Sequence, residues 1–214
     1  MKSIKKIAFV AFATILSVSF ATAQVGIQAG YGTQTRNYEN SALGLILSEN
    51  ATLSGFHVGP VADLKIQGPI SLQYGLLYNY LTLDKSILSQ NIKLTSHALD
   101  LPVRVKASIP FGDGLGLFLF AGPNFNYTVA EVIDINDSRY KPVGQSNESI
   151  YTWVDGNDKK LYAPFDVQLG AGAGLQFKGL SVRFSYDFGM LDKDNSDNGV
   201  WKNNDMKIGL AYTF

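Results

Sequence analysis

Nine ionisable side chains fall on the polar faces of alternating segments, and these are the first residues that could do chemistry. They are four acids and five bases: Asp63, Asp100, Asp166 and Asp187, with Lys65, Arg104, Lys106, Arg183 and Lys207. Such a set could relay protons, but charges enclosed in a small β structure must also pair, because isolated buried charges are costly. We expect an interior ion-pair network, with transport as the alternative. Gly170, Gly172 and Gly174 would make room for its long side chains.

The two histidines limit any hydrolytic chemistry. His57 is expected on the inward face of its segment and His97 on the outward face. Ser96 adjoins His97, yet neighbouring residues of a strand point to opposite faces and cannot act together as nucleophile and base. The sequence predicts no catalytic residues, and we expect a protein that is not an enzyme.

One segment resembles a calcium-binding loop. Asp194, Ser196, Asn198, Gly199 and Asp205 fall on positions 1, 3, 5, 6 and 12 of the twelve-residue pattern. The last position is Asp instead of Glu, and the flanking segments alternate like strands. An exposed hairpin tip is also rich in Asp and Asn, so this remains a weak calcium candidate and no metal site is predicted.

Composition removes other classes of protein. The chain has no cysteine, which excludes disulfides, cysteine zinc sites and iron–sulfur clusters, and we expect no cofactor. Lys plus Arg equals Asp plus Glu at 18 each. There is no basic excess for phosphate backbones, so nucleic acid is not an expected partner.

The N-terminal residues read as an export signal. Three lysines lie among the first six residues, residues 7–20 are apolar, and residues 21–23 are small. The apolar run is shorter than the roughly 20 residues that span a bilayer as a helix. We predict a cleaved signal peptide over 1–23 and one β-barrel domain over 24–214.

Beyond the signal, alternation with a period of two dominates. The clearest case is Leu180 to Met190, where apolar residues alternate with Ser, Arg, Asp and Gly. Eight such segments are predicted, roughly over 25–32, 54–66, 70–83, 96–109, 115–129, 164–177, 180–191 and 205–214.

The connections alternate in length. Tight turns are predicted at 67–69, 110–114 and 178–179, and long Asn-, Asp- and Ser-rich loops at 33–53, 84–95, 130–163 and 192–204. This pattern predicts an all-β fold, an eight-stranded antiparallel up-and-down transmembrane β-barrel with short periplasmic turns and long extracellular loops. A soluble lipocalin-like barrel is the structural alternative.

The heights of the outward aromatics favour the membrane barrel. One group lies toward the long loops and another toward the turns, as two membrane–water interfaces require. The first group is Tyr31, Phe56, Tyr78, Tyr80, Tyr127, Phe165 and Phe188; the second is Phe111, Phe177, Tyr212 and Phe214.

Several stretches resemble the OmpX-like and PorT-like outer-membrane β-barrel family. They are Gly55 to Gly59, the HALDLPVRVK stretch at 97–106, FAGPNFNY at 120–127 and the closing KIGLAYTF at 207–214. The resemblance implies a bacterial outer-membrane location, contact with outer-membrane lipid, and recognition of the terminal Phe by the barrel-assembly machinery. The PorT-like part also implies a possible role in a secretion complex.

The expected function is envelope support or binding through the surface loops, with a narrow channel or a secretion component as alternatives. The third loop is the expected binding element, for a protein or glycan partner. Its apolar runs at 132–135 and 150–154 are predicted to pair as a hairpin that displays Tyr151 and Trp153.

Overall fold

A computed structural model describes residues 24–41, 50–87, 90–135, 149–154, 158–196 and 199–214. The predicted signal peptide lies outside these ranges. Within them the chain forms β structure with a single 3₁₀ turn at Ile150–Thr152. No helix in the described ranges is long and apolar enough to cross a membrane.

Nine strands are formed: β1 Gln24–Glu39, β2 Asn50–Gln67, β3 Ile70–Gly75, β4 Leu77–Ile87, β5 Gln90–Gly112, β6 Leu115–Ile135, β7 Phe165–Phe177, β8 Leu180–Gly189 and β9 Val200–Thr213. Both β3 and β4 lie between β2 and β5. They are two halves of one arm, interrupted at Leu76 opposite Pro60, which has no N–H to give to the ladder. The barrel therefore has the eight predicted arms.

The sheet closes on itself. Every described strand pairs with antiparallel neighbours on both sides, and β1 pairs with β9 from Gly26 opposite Thr213 to Glu39 opposite Val200. A closed ring satisfies all backbone hydrogen bonds between strands, as lipid requires.

The strands run further toward the loops than predicted. β5 has 23 residues and β6 has 21, and the second connection spans only residues 88–89. The predicted long loop at 84–95 is wrong because its residues continue the alternation and pair as β4 and β5. The connection after β6 remains long.

The two faces of the sheet are sorted as expected. The outward side chains are apolar and about half exposed, including Val105, Leu119, Phe184 and Leu210. The predicted aromatics form a loop-end girdle and a turn-end girdle around them, and we take the strand segments between these girdles as the membrane-spanning part. β1, β2, β4, β5, β6 and β9 continue beyond the loop-end girdle.

The glycines of β7 serve the role predicted for them. A Cβ atom at Gly170 would collide with the Asp187 carboxylate, and Cβ atoms at Gly172 and Gly174 would collide with the Phe120 and Phe118 rings, respectively. This row of glycines on β7 thus leaves room for large side chains inside the barrel.

Candidate functional site

The barrel interior contains two ion pairs between members of the predicted network. Lys106 Nζ lies 2.6 Å from Asp63 Oδ2 and also over the Phe118 ring, while Arg104 pairs with Asp187. All of these side chains are largely buried. Pairing offsets the cost of enclosing the charges.

Lys207 is the centre of a second group of ion pairs. Lys207 Nζ lies 2.9 Å from Asp100 Oδ2 and 3.3 Å from Asp205 Oδ2. Arg183 donates to the Gln73 side chain instead of forming an ion pair with a described residue. The predicted network therefore exists, with Asp205 as a member that the sequence had suggested as a calcium ligand.

Two predicted members are placed differently. Asp166 is buried and accepts the Leu191 backbone N–H at 3.3 Å, without an ion pair to a described residue. Lys65 is exposed and lines a cavity of about 790 Å³ that opens at the turn end. Their assignment to the paired network is wrong, because one is too far toward the loops and the other too near the rim.

The calcium loop does not assemble. Asp205 lies inside the barrel and is bound by Lys207, whereas Asp194 accepts hydrogen bonds from the Ser41 hydroxyl and the Ser196 backbone N–H. Asn198 lies outside the described residues. No group of three or more His, Asp or Glu side chains in the described ranges could hold a metal. The carboxylate of Asp194 instead fixes the loop that carries it.

The histidines occupy the predicted faces. His57 is buried inside, 3.1 Å from the Gln28 side-chain nitrogen, and His97 lies outside, with Nδ1 2.6 Å from the Tyr78 hydroxyl. Ser96 is buried on the inner face, so it points away from His97 as the sequence argument required.

Above the loop-end girdle the barrel contains an apolar core that sequence reasoning missed. We call it the cap core: Tyr38, Ala51, Leu53, Leu81, Ile92, Leu94, Ile150, Tyr151, Tyr162 and Trp201. Trp201 is fully buried, and the rings of Tyr38, Tyr151 and Tyr162 lie 5.5 to 6.2 Å from its ring. The projecting strands are thus filled as the interior of a soluble protein is.

An ion pair crosses the barrel beside the cap core. Arg36 Nη1 and Nη2 lie 2.6 and 2.8 Å from the two carboxylate oxygens of Glu131, and Arg36 Nε donates to Gln34 at 2.9 Å. Both partners of the pair are 1% exposed. Burial alone would lower the pKa of Arg36, but the Glu131 carboxylate raises it above its ordinary value. The guanidinium stays charged in this closed site.

Glu131 points inward because of a β-bulge. His97 lies opposite Ala130, whereas Ala98 lies opposite Thr128, so Val129 is an extra residue in β6. The bulge reverses the alternation of the strand beyond it. A strict period of two would have placed Glu131 on the outer face.

Lys193 is a buried cation next to the same core. Its Nζ donates to Thr128 Oγ1 at 3.2 Å and lies 5.2 and 4.9 Å from the ring centres of Tyr151 and Trp201. Burial lowers the pKa of Lys193 to about 8. The ammonium is held by aromatic faces and a hydroxyl, and none of the described carboxylates is in direct contact with it.

Backbone hydrogen bonds join the connections after β6 and β8 into one layer over the barrel mouth. Ala163 N donates to Lys193 O at 2.9 Å and Asn195 N donates to Leu161 O at 2.8 Å. Tyr162 and Asp194 form an isolated bridge within this layer. We call residues 149–154, 158–164 and 190–196, together with the cap core, the cap.

The predicted display of Tyr151 and Trp153 on a hairpin is wrong. Residues 132–135 belong to β6 and pair with β5, and Ile150–Thr152 form a 3₁₀ turn over the mouth. Tyr151 is buried in the cap core, and Trp153 packs partly buried against it. The aromatic residues were drawn inward because the projecting barrel has an apolar interior to fill.

The sequence held signals for part of this site. Continuing the alternation of β1 past Gly32 places Gln34, Arg36 and Tyr38 on the inner face, as observed. Lys193 lies in an irregular loop, where no periodicity indicates which way a side chain points.

Comparison with known proteins finds one family profile that matches most of the chain. The sequence profile described as an outer membrane protein beta-barrel domain matches residues 16–194. No curated protein matches the chain.

Solved structures with a similar shape include three outer-membrane proteins. Ail of Yersinia pestis, in complex with the heparin analogue sucrose octasulfate, is 12% identical with a TM-score of 0.45, and the match covers 90% of this chain and 99% of Ail. Neisserial surface protein A is 14% identical with a TM-score of 0.46, over 89% of this chain and 97% of that one. The outer membrane enzyme PagL is 12% identical with a TM-score of 0.45, over 88% and 99%.

Proposed function

Because the chain belongs to the outer membrane protein beta-barrel domain family and lies in the bacterial outer membrane, we propose that it is a non-enzymatic barrel that acts through its capped outer end. Its role is to present a rigid binding surface at the cell exterior, or to support the envelope there. The loop end is extracellular and the turn end periplasmic in barrels of this kind.

The cap carries this proposal. Trp201, Leu53, Leu94 and Ile150 are fully buried within the extracellular half of the barrel, and the Arg36–Glu131 pair closes the space beside them. Below the cap, Phe118 and Phe120 fill the lumen with cations over their rings. An eight-stranded barrel filled in this way suits display better than conduction.

The exposed rim of the cap is the proposed contact surface. Trp153 is partly exposed, Val154, Lys159 and Lys160 are exposed, and the Lys159 ammonium donates to the Asn195 carbonyl at 3.0 Å. Rigid aromatic and cationic groups on a fixed layer suit a protein or glycan partner.

Conductance in planar bilayers separates display from transport. The purified barrel should give no reproducible conductance of porin size, because the cap and the filled lumen block the pathway. A stable channel of that size would support the transport alternative and overturn the proposal. As a positive control, a barrel of porin type should conduct in the same membranes.

A surface binding assay tests the display role. Trp153→Ala combined with Lys160→Ala should abolish attachment of whole cells to immobilised proteins or glycans, while the matched turn-end variant Lys65→Ala keeps it. Equal attachment by the unmodified protein, the double variant and Lys65→Ala would place the binding site elsewhere. Recovery of stoichiometric envelope proteins from gently solubilised membranes would support the secretion alternative.

A further inference from the structure

Two ordered rows of side chains lie on the outer wall of the barrel at the extracellular interface. We propose that this wall, formed by β1, β2, β4 and β5, binds the sugar head group of an outer-leaflet glycolipid. The site is lateral and faces the membrane, so it is separate from the proposed contact surface on the cap.

The lower row is aromatic. Tyr31 lies opposite Phe56, Phe56 opposite Tyr80, and Tyr80 opposite His97. The Phe56 and Tyr80 rings stack at 5.3 Å, and the Tyr80 and His97 rings meet edge to face at 5.2 Å. Tyr31 and Phe56 remain about half exposed, at 52% and 50%. Ring contacts hold the row together, and part of the Tyr31 and Phe56 ring surface remains exposed.

The upper row carries hydroxyl groups. Thr33 lies opposite Ser54, Ser54 opposite Thr82, and Thr82 opposite Thr95. These residues sit two positions beyond the aromatic row on each strand, hence on the same outer face and about 6.6 Å higher along the strand. Their spacing across the sheet is about 4.8 Å, and each side chain is partly exposed.

The position of the rows decides what they contact. Aromatic girdles mark the level where acyl chains give way to head groups. Outward groups directly above that level face the head-group layer, not bulk water. In the outer leaflet the hydroxyl row therefore meets whatever polar groups the lipids carry.

The chemistry of the rows favours sugars over phosphates. A hydroxyl can donate one hydrogen bond and accept two, which matches the hydroxyls of a saccharide. The Thr82 hydroxyl donates to the Ser54 carbonyl at 3.5 Å and can still accept. The exposed ring surfaces below suit the C–H surface of a sugar.

Phosphate binding normally uses Lys or Arg, and neither row contains either residue. Two outward cations on the described strands lie above the level of the rows. Lys93 lies opposite Asp84 and Asp134, and Lys202 of β9 lies opposite Asn37.

The opposite wall has no such rows. β7 begins at the girdle residue Phe165, and β8 ends one residue after Phe188. Neither strand projects to carry a hydroxyl row. The described outward residues that continue β6 and β9 above the girdle, including Val129, Asn204 and Lys202, have no hydroxyl. The geometry therefore gives the barrel one sugar-binding side.

Lipid retention tests the inference. The folded protein is exchanged into discs of neutral phospholipid that also contain either an anionic phospholipid without sugars or lipid A carrying its inner-core sugars, and the bound test lipid is counted per protein. The unmodified protein should retain the sugar-bearing lipid about tenfold better, the effect expected from two or three added hydrogen bonds.

A triple variant removes the hydroxyls at nearly constant shape: Thr33→Val, Thr82→Val and Thr95→Val. It should lose the preference for sugars and keep the same heat-dependent gel shift, while Thr152→Val, on the exposed cap, keeps the preference. An unchanged preference in the triple variant overturns the proposal. So does equal retention of both lipids by the unmodified protein, which would assign binding to the acyl chains or phosphates.

Threonine methyl resonances provide a test that needs no variant. Changing from the sugar-free anionic phospholipid to the sugar-bearing lipid should shift the methyl signals of Thr33, Thr82 and Thr95 and leave those of Thr152 and the interior Thr128 in place. Uniform or absent shifts would contradict the proposal even if the triple variant fails to fold.

Discussion

Replacing Glu131 by Gln should loosen the cap without opening the membrane-spanning barrel. The substitution keeps the shape of the side chain and removes its charge, so Arg36 remains protonated and buried opposite a neutral amide. The pair is bidentate and 1% exposed on both sides. Breaking such a buried pair from one side costs about 3 to 5 kcal/mol, which raises the open population of the cap by roughly 10² to 10⁴.

The chain offers a convenient assay. Both of its tryptophans, Trp153 and Trp201, belong to the cap, so tryptophan emission reports on this part alone. In a Trp153→Phe background, the urea midpoint of the Trp201 signal should fall for Glu131→Gln, while the heat-dependent gel shift that reports barrel closure persists. Asp134→Asn, exposed on the same strand, is the matched control and should change neither.

The double variant decides whether the charge pair is the cause. Arg36→Met with Glu131→Met removes both charges, so it should be more stable than either single replacement and approach the parent. A loss of less than about 1 kcal/mol for Glu131→Gln, or a double variant that equals the sum of the single losses, would refute the argument.

Three other outcomes are expected. The cap should gain stability as the pH rises from about 8 to about 9.5, by at most about 1.4 kcal/mol per pH unit, because the pKa of buried Lys193 is about 8 and its ordinary value is 10.5. Nearer pH 10 the gain should reverse, because burial raises the pKa values of Tyr38 and Tyr162 to about 12 and the unfolded chain ionises these tyrosines first. Lys193→Met should remove the gain in tryptophan-monitored urea titrations. Phe184→Arg on the lipid face should cost about 2 to 4 kcal/mol and impair assembly, whereas the inward Ser185→Asn should fold, as gels of unboiled samples will show; the reverse order would mean an inverted barrel. Gly174→Ala should collide with the Phe118 ring and lower the unfolding temperature, and adding Phe118→Leu should recover part of the loss; no recovery would assign the cost to the collision with the Val182 backbone carbonyl of β8.

The membrane-spanning fold could be predicted from the sequence because lipid imposes a simple rule on it. Outward residues must be apolar and inward residues need not be, so strands such as Leu180–Gly189 show a clean alternation. The role of the β7 glycines could be predicted for the same reason, because the alternation places them on the inward face. The number of arms and the positions of the tight turns could be predicted from the same alternation and its interruptions.

The cap could not be predicted in the same way. Outside the membrane the exterior of the strands is polar, so the difference in hydrophobicity between the two faces weakens or reverses. Leu81 and Leu83 accordingly share a face with the polar Asn79. The structure shows Leu81 in the cap core, with Leu83 packed against it. The bulge at Val129 and the irregular segment around Lys193 depend on tertiary contacts that periodicity does not encode.

The pairing of the first and last strands has a kinetic consequence. Since β1 pairs with β9 along its length, the barrel can close only after β9 has reached β1. Closure of this seam therefore joins strands that are separated by almost the whole domain in sequence. The cap core draws Tyr38 from β1 and Trp201 from β9, opposite each other across that seam. Formation of the cap must therefore follow or accompany seam closure, and quenching or burial of Trp201 would time the last step of insertion. Contacts this distant along the chain are associated with slow folding, which makes an unsealed, cap-open barrel the intermediate that a chaperone or assembly factor would have to protect.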